Sequence, residues 1–355
     1  MPSSLTPFSV IIPVRNGAST LSLCIQSILE SSLKPAEIIM VDDGSTDTSA
    51  EIALSLGCRV MKVSEGKGPM QPRFAGARAA VNPLLVFIDS DVCVDVLTFE
   101  RLVSHFIEPG VSAVTGLLSR SSREPGFFSS YKNEYMNYLF SGRSSDAGFL
   151  YGSIFAVLAG DFIYFEPVNE PFGCLVSDSE LGMRLKACSK RIILDHSLEV
   201  EHLKRYSLAS LLRNDFVIPF MFARIFPRYA QGSSVFNGKA FSHASWAQTL
   251  SAAACAAAWA LLFLGLAAGS PSCLIAAFVF ASLFFLYWRG FIFRTRERGY
   301  SFAAACSLML IVDAPVMLTG MFSGFFYNGY AFLKGLLQNY KYPSFRRPAG
   351  GEIRF

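Results

Sequence analysis

Leu84-Leu85-Val86-Phe87-Ile88-Asp89-Ser90-Asp91 is the stretch on which the reading of this 355-residue chain turns. Five apolar residues in a row, too few for a helix of ordinary length, read as a buried strand. The strand stops at two carboxylates separated by one serine. Open α/β sheets bind ligands beyond the carboxyl ends of their strands, so where the acidic residues sit matters as much as what they are. Two carboxylates at this spacing present hard oxygens to Mg²⁺ or Mn²⁺, and a diphosphate can complete the coordination. Taken alone, the same residues also fit a solvated turn.

Upstream the chain alternates. Residues 10–14 (Val-Ile-Ile-Pro-Val) read as a first strand, and residues 19–31 as a helix with Leu21, Ile25, Ile28 and Leu29 on one face. Residues 37–41 read as a strand, 48–56 as a helix with Ser45 or Asp47 as its cap, 59–63 as a strand, and 74–80 as a helix. Strands alternating with helices imply βαβ units and a mostly parallel sheet. Three strand ends carry polar or acidic groups, Arg15-Asn16, Asp42-Asp43 and Asp89-Ser90-Asp91. Their gathering at one rim points to a site. Asp43 can accept hydrogen bonds from a base edge or a ribose hydroxyl; equally, its segment is a strand-to-helix turn. Gly66-Lys67-Gly68-Pro69, followed by Arg73 and Arg78, suits a diphosphate. It lacks P-loop spacing, and no GxGxxG follows the first strand, which argues against nicotinamide binding.

Downstream, Asp178 stands just ahead of a helix with Leu181 and Leu185 on its apolar face. A carboxylate there can take a proton from an acceptor hydroxyl, or it can cap the helix. His202, in Val200-Glu201-His202-Leu203-Lys204, is open to a metal, phosphate or structural role.

Composition divides the chain. Hydrophobic residues make up 52% and charged residues 16%, against about 25% charged in an ordinary soluble domain. The deficit falls after about residue 246. Residues 247–268 carry no charge, 273–293 carry Arg289, and 303–325 carry Asp313, with Pro315 beside it. The first two stretches fit membrane spans, Arg289 reaching the interface. The third either spans or re-enters, because a charge and a helix breaker near its middle are both expensive. The residues 246–330 are therefore expected to be transmembrane, and 331–355 a basic tail. Residues 206–245 form a linker in which 207–226 reads as an interfacial amphipathic helix or as a helix packed on the first domain. Arg294, Arg296 and Arg298 between the second and third stretches argue for a cytoplasmic link. The N-terminus shows no signal-peptide pattern, so the first domain, residues 1–205, is expected at the cytoplasmic face of a bacterial inner membrane. The net charge of +4 without a basic stripe excludes nucleic acid. Eight scattered cysteines without a CxxC pair give no zinc or redox motif.

Val10-Ile11-Ile12-Pro13-Val14-Arg15-Asn16, Val41-Asp42-Asp43-Gly44-Ser45-Thr46-Asp47, Gly68 with Arg73, Phe87-Ile88-Asp89-Ser90-Asp91, and Asp178-Ser179-Glu180-Leu181 with Arg184-Leu185 occur in one order. In that order they resemble the motifs of family 2 glycosyltransferases over roughly residues 8–205. The resemblance implies a GT-A fold followed by transmembrane helices. It implies inverting transfer of a single sugar from a UDP- or GDP-sugar, with Mg²⁺ or Mn²⁺, to a lipid-linked or membrane-associated acceptor. It places Pro13, Arg15 and Asp43 near the nucleobase and ribose, Arg73 near the nucleotide, Asp89 at the donor's ribose and sugar, Asp91 on the metal and Asp178 as general base. His202 resembles a downstream histidine that ligates metal or phosphate. The chain departs from the pattern at Ser177, where Glu is usual, and in Ala159-Gly160-Asp161-Phe162, a partial match to Gly-Gly-Phe-Asp. It lacks the Gln-x-x-Arg-Trp of processive synthases. Those departures motivate a rival reading, a non-catalytic membrane component that keeps the fold and binds nucleotide. A transporter is a third reading, resting on Asp313.

Overall fold

The computed structural model describes residues 6–63, 70–124, 126–164, 177–230, 240–241 and 244–333. The glycine loop at 66–69 and the tail beyond 333 lie outside them.

The first half follows the expected alternation: β1 (Phe8–Val14), α1 (Leu21–Glu30), β2 (Glu37–Asp42), α2 (Ser49–Ser55), β3 (Arg59–Lys62), α3 (Met70–Ala79) and β4 (Leu84–Ile88). Then come β5 (Val92–Cys93), α4 (Thr98–Ser104), β6 (Val111–Leu118), α5 (Phe127–Ser141), β7 (Ile154–Leu158), α6 (Ala159–Tyr164), α7 (Ser177–Ala187) and β8 (Arg191–His202). The eight strands form one sheet in the order β3-β2-β1-β4-β7-β6-β8-β5. Strands β3, β2, β1 and β4 run parallel. All five residues of β4 are buried, which is why its sequence shows no alternation. Phe87 stacks on Phe155 at 4.7 Å and on Phe162 at 4.6 Å, joining β4 to β7 and α6 in the core.

The sheet is mixed beyond β4, and the mixing sets up the rim. Strand β7 is antiparallel to both β4 and β6. Ile154 at its start pairs with Ile88 at the end of β4, so the preceding Tyr151-Gly152-Ser153 turn arrives beside Asp89. Strand β8 runs parallel to β6 and finishes against β5, where His202 pairs with Val92. This register brings a histidine more than a hundred residues downstream next to Asp91.

Four long helices follow: α8 (Leu208–Ala230), α9 (Trp246–Ala268), α10 (Pro271–Thr295) and α11 (Tyr300–Leu333). Three segments, Ala247–Ala268, Pro271–Arg298 and Tyr300–Tyr330, are long and apolar enough to cross a bilayer. Segment α11 is one uninterrupted helix that runs through Pro315. Pro315 cannot donate to the carbonyl of Ile311. The Cys255 thiol of α9 donates to that carbonyl instead, at 3.7 Å, an example of a neighbouring helix satisfying a backbone group in apolar surroundings. Asp313 is likewise accommodated: the Tyr131 hydroxyl of α5 donates to its Oδ2 at 3.1 Å. Helix α8 lies along α11. A Cβ at Gly320 or Gly324 would collide with the carbonyl oxygens of Phe216 and Phe220, so the small residues set how closely the two backbones approach. At its start α8 also packs on the first domain through Leu211, which is fully buried.

Candidate active site

Asp89 leaves the end of β4, and its first fixed partner is Arg73 on α3. The Arg73 Nη2 donates to Asp89 Oδ1 at 2.6 Å and approaches the Gly152 carbonyl at 3.5 Å. Arg73 is 4% exposed, its guanidinium 6.0 Å from the Phe155 ring centroid. A buried guanidinium needs a carboxylate partner, and this one fixes the height of Asp89 above the sheet. Enclosure by protein pushes the Asp89 carboxyl up to about 6; Arg73 works against that rise, and the neighbouring Asp91 and Asp178 add to it.

Asp91 turns the other way. Its Oδ2 lies 3.5 Å from His202 Nε2, and its carbonyl accepts from the Leu203 N–H at 2.7 Å. Burial opposes its charge, but the hydrogen bond and charge of His202, together with Lys204, prevail and hold the carboxyl below the usual carboxylate range. The buried Nδ1 of His202 has no hydrogen-bond partner.

Asp178 enters from the first turn of α7. Burial raises its carboxyl; Arg73 and the backbone N–H groups of Ser179 and Gly152 oppose the rise. Gly152 is a glycine for a steric reason. A Cβ there would stand 2.8 Å from Asp178 Oδ2 and 3.3 Å from Arg73 Nη2. The Ser179 hydroxyl donates to the Leu150 carbonyl at 3.2 Å, tying α7 to the same turn.

These groups share a cavity of about 390 Å³ whose wall includes Asp89, Asp91, Asp178, His202, Lys204 and Tyr206. The sequence reading thus placed Asp89, Asp91, Asp178 and His202 in one site, and the structure brings all four together with Arg73 behind Asp89. Pro13, Arg15 and Asp43 stand elsewhere on the rim, at the ends of β1 and β2, where Pro13 pairs with Val41 and the Asp43 N–H donates to the Val14 carbonyl at 2.8 Å. They do not line the cavity. The turn after β1 is nonetheless joined to the acidic loop, since the Thr20 hydroxyl donates to the Ser90 carbonyl at 3.0 Å. Asp42 and Asp47 are used locally: Asp42 Oδ1 accepts from the Ser45 N–H at 2.7 Å, and Asp47 Oδ2 from the Ala18 N–H at 3.0 Å. Ser45 does not cap α2; its hydroxyl accepts from the Asn16 N–H at 3.0 Å.

Among the described residues no three His, Cys, Asp or Glu side chains converge as a complete metal cage. Asp91 and His202 do fit two neighbouring positions of a divalent cation. Adjacent ligands of an octahedral ion at about 2.1 Å lie about 3 Å apart, close to the observed 3.5 Å. The remaining positions would fall to ligand oxygens and water. Sequence reasoning missed the Tyr151-Gly152-Ser153 turn, Lys204 and Tyr206. For Gly152 there was a faint signal, a glycine just ahead of the apolar run 154–158.

The domain has relatives. Residues 9–166 match the model of glycosyl transferase family 2. That match covers most of the first domain and stops short of Asp178. Glycosyltransferase GlyG of Streptococcus pneumoniae is 30% identical over 128 residues, covering 35% of this chain and 42% of the relative. The 4,4'-diaponeurosporenoate glycosyltransferase of Staphylococcus haemolyticus is 36% identical over 90 residues, 24% of each chain. The chain therefore spans less than half the length of either relative. A mannosyltransferase from Pyrobaculum calidifontis, solved with GDP-mannose and Mn²⁺, superposes with a TM-score of 0.55 over 88% of both chains at 17% identity. That likeness establishes the fold, a GT-A-type mixed sheet with flanking helices, here followed by three apolar helices. Asp178 and His202 lie beyond the family match but share its cavity.

Proposed function

We propose that the chain transfers one sugar at a time from a nucleoside-diphosphate sugar, UDP- or GDP-linked, to a lipid-linked or membrane-associated acceptor, with inversion and with Mg²⁺ or Mn²⁺ bound. The carrying observation is the meeting of Asp89, Asp91, Asp178 and His202 in one cavity of a family 2 domain. The mannosyltransferase of like fold was solved with a nucleotide sugar and Mn²⁺, which supports the cofactor. Asp91 and His202 would hold the cation, which when bound neutralises charge on the departing diphosphate. Arg73 holds Asp89 toward the donor's ribose and sugar. Pro13, Arg15 and Asp43, along the same rim, take the base and ribose side. Asp178, half-buried and raised in pKa, accepts the proton of the acceptor's hydroxyl as its oxygen attacks the anomeric carbon opposite the diphosphate. The membrane-length helices that border the same cavity support a membrane-borne acceptor, and the arginines after α10 favour a cytoplasmic face.

The test is transfer of label from UDP- and GDP-sugars to membrane lipids by the full chain, with Mn²⁺. Asp178→Asn is expected to abolish transfer while nucleotide binding persists. Tight nucleotide binding without transfer by the unaltered chain would instead favour the non-catalytic reading.

A further inference from the structure

The cavity does not end at the carboxylates. Its wall continues past Tyr206 to Lys132 and Tyr135 of α5, then to Ile218 and Phe222 of α8, Ala252 of α9, and Met321 and Phe325 of α11. It therefore has three parts in sequence: an acidic rim, a polar neck and an apolar chamber. The register of the helices orders them. Gly320 lies on Phe216 and Gly324 on Phe220, so α8 and α11 run side by side in the same direction. Asp215 and Asp313 stand near the start of that shared run, and Phe222 and Phe325 lie further along it. At about 1.5 Å per residue, the seven residues from Asp215 to Phe222 carry the wall roughly 10 Å further along α8 and the apolar α11 beside it.

The neck is built, not incidental. Lys132 is buried at 7% exposure and pairs with Asp215, itself 3% exposed. Asn214 donates to Asp215 at 3.1 Å, and Gln248 of α9 donates to the Tyr135 hydroxyl at 2.7 Å. A buried ammonium with a carboxylate on one side keeps further donor capacity for the cavity it faces. Beyond the neck the chamber is apolar, and Met317 and Met321 give it adaptable walls. Apolar space joined through a polar collar to a set of charged groups suits one ligand shape, a molecule with a polar head and a hydrocarbon tail.

Building on the glycosyl-transfer reading, we infer that the inner part of this cavity is the acceptor site and takes an amphiphile, its head at Lys132 and Tyr206 and its hydrocarbon tail between α8, α9 and α11. The head then reaches from the neck toward Asp178, and the tail remains in the depth of the bilayer. The same geometry makes Lys132 a binding residue for the acceptor rather than for the nucleotide.

The test uses the full chain in phospholipid nanodiscs with a fifteen-carbon aliphatic alcohol bearing a diazirine at its tail. After irradiation, adducts are mapped by peptide mass spectrometry. Labelling concentrated on Ile218, Phe222, Met321 and Phe325, and displaced by excess unlabelled alcohol, is the expected result. Ala252→Trp, which fills the chamber from α9, should lower this labelling at least fivefold; Met321→Trp fills it from α11 and serves if the first variant does not fold. Both should bind nucleoside diphosphate as the unaltered chain does. Labelling confined to the outward faces of α9 and α10, or unchanged in a folded Trp variant, would overturn the assignment. Because the probe is read without sugar transfer, a loss here is distinguishable from a failure of the catalytic reading, which the Asp178→Asn assay addresses.

Discussion

Gly152→Ala isolates the placement of one carboxylate. The new Cβ would sit 2.8 Å from Asp178 Oδ2, whereas ordinary contact begins at 3.4 Å, so the carboxylate must retreat by about 0.6 Å. The obstacle is the tip of a side chain, not backbone, so the fold can absorb it cheaply. A 1 Å misplacement in a reacting site costs about 10²-fold, and by that scale a 0.6 Å retreat lowers kcat about tenfold. Arg73 Nη2, at 3.3 Å, is barely displaced, so donor KM should stay within about twofold. The assay is steady-state sugar transfer with thermal unfolding in the same detergent, the midpoint expected to move by no more than about 2 °C. Asp178→Asn supplies the limit of complete loss. Wild-type kcat in a folded Gly152→Ala chain would refute the claim that Gly152 exists to admit the Asp178 carboxylate. A fall in donor affinity alone would refute the assignment of Asp178 to the acceptor side.

Three further outcomes follow from the same geometry. Because burial raises the Asp178 carboxyl, a base role loses activity as pH falls through a value above the ordinary carboxylate range near 4, and the acid limb of kcat/KM measured from pH 4 to 8 should lie there; a limb at or below the ordinary value would contradict it. His202→Ala removes the partner 3.5 Å from Asp91 and should raise the Mn²⁺ concentration for half-maximal turnover at least about tenfold, the scale on which shells around metals act. Gly320→Val drives a side chain into the Phe216 carbonyl, which is backbone and cannot yield; overpacking of this kind costs about 1–3 kcal/mol, to be read as a lowered unfolding midpoint with nucleotide binding retained.

The parallel half of the sheet was legible because its strands are contiguous apolar runs that stop abruptly at Arg15, Asp42 and Asp89. Local pattern is enough for that. The antiparallel course of β7 was not legible, because nothing in residues 154–158 states which neighbour they will pair with. The same limit hid the cavity wall. Lys132 and Asp215 are 83 residues apart, and Tyr131 and Asp313 are 182 apart; each polar residue alone reads as an unexplained charge or as an amphipathic face. Asp313 and Pro315 are both expensive within an apolar stretch. What the sequence could not show was how the expense is met, by Tyr131 for the carboxylate and Cys255 for the carbonyl that Pro315 leaves free. His202 was recognisable by resemblance, but its approach to Asp91 depends on the β5–β8 register.

The most direct measurement is a cryo-EM structure of the full chain with Mn²⁺ and a nucleoside diphosphate. The account expects a cation about 2.1 Å from an Asp91 oxygen, bound also to the diphosphate, with the base lying toward Asp43. Cation and diphosphate bound together away from Asp91, with the Asp89–Asp91 rim left facing solvent, would contradict it.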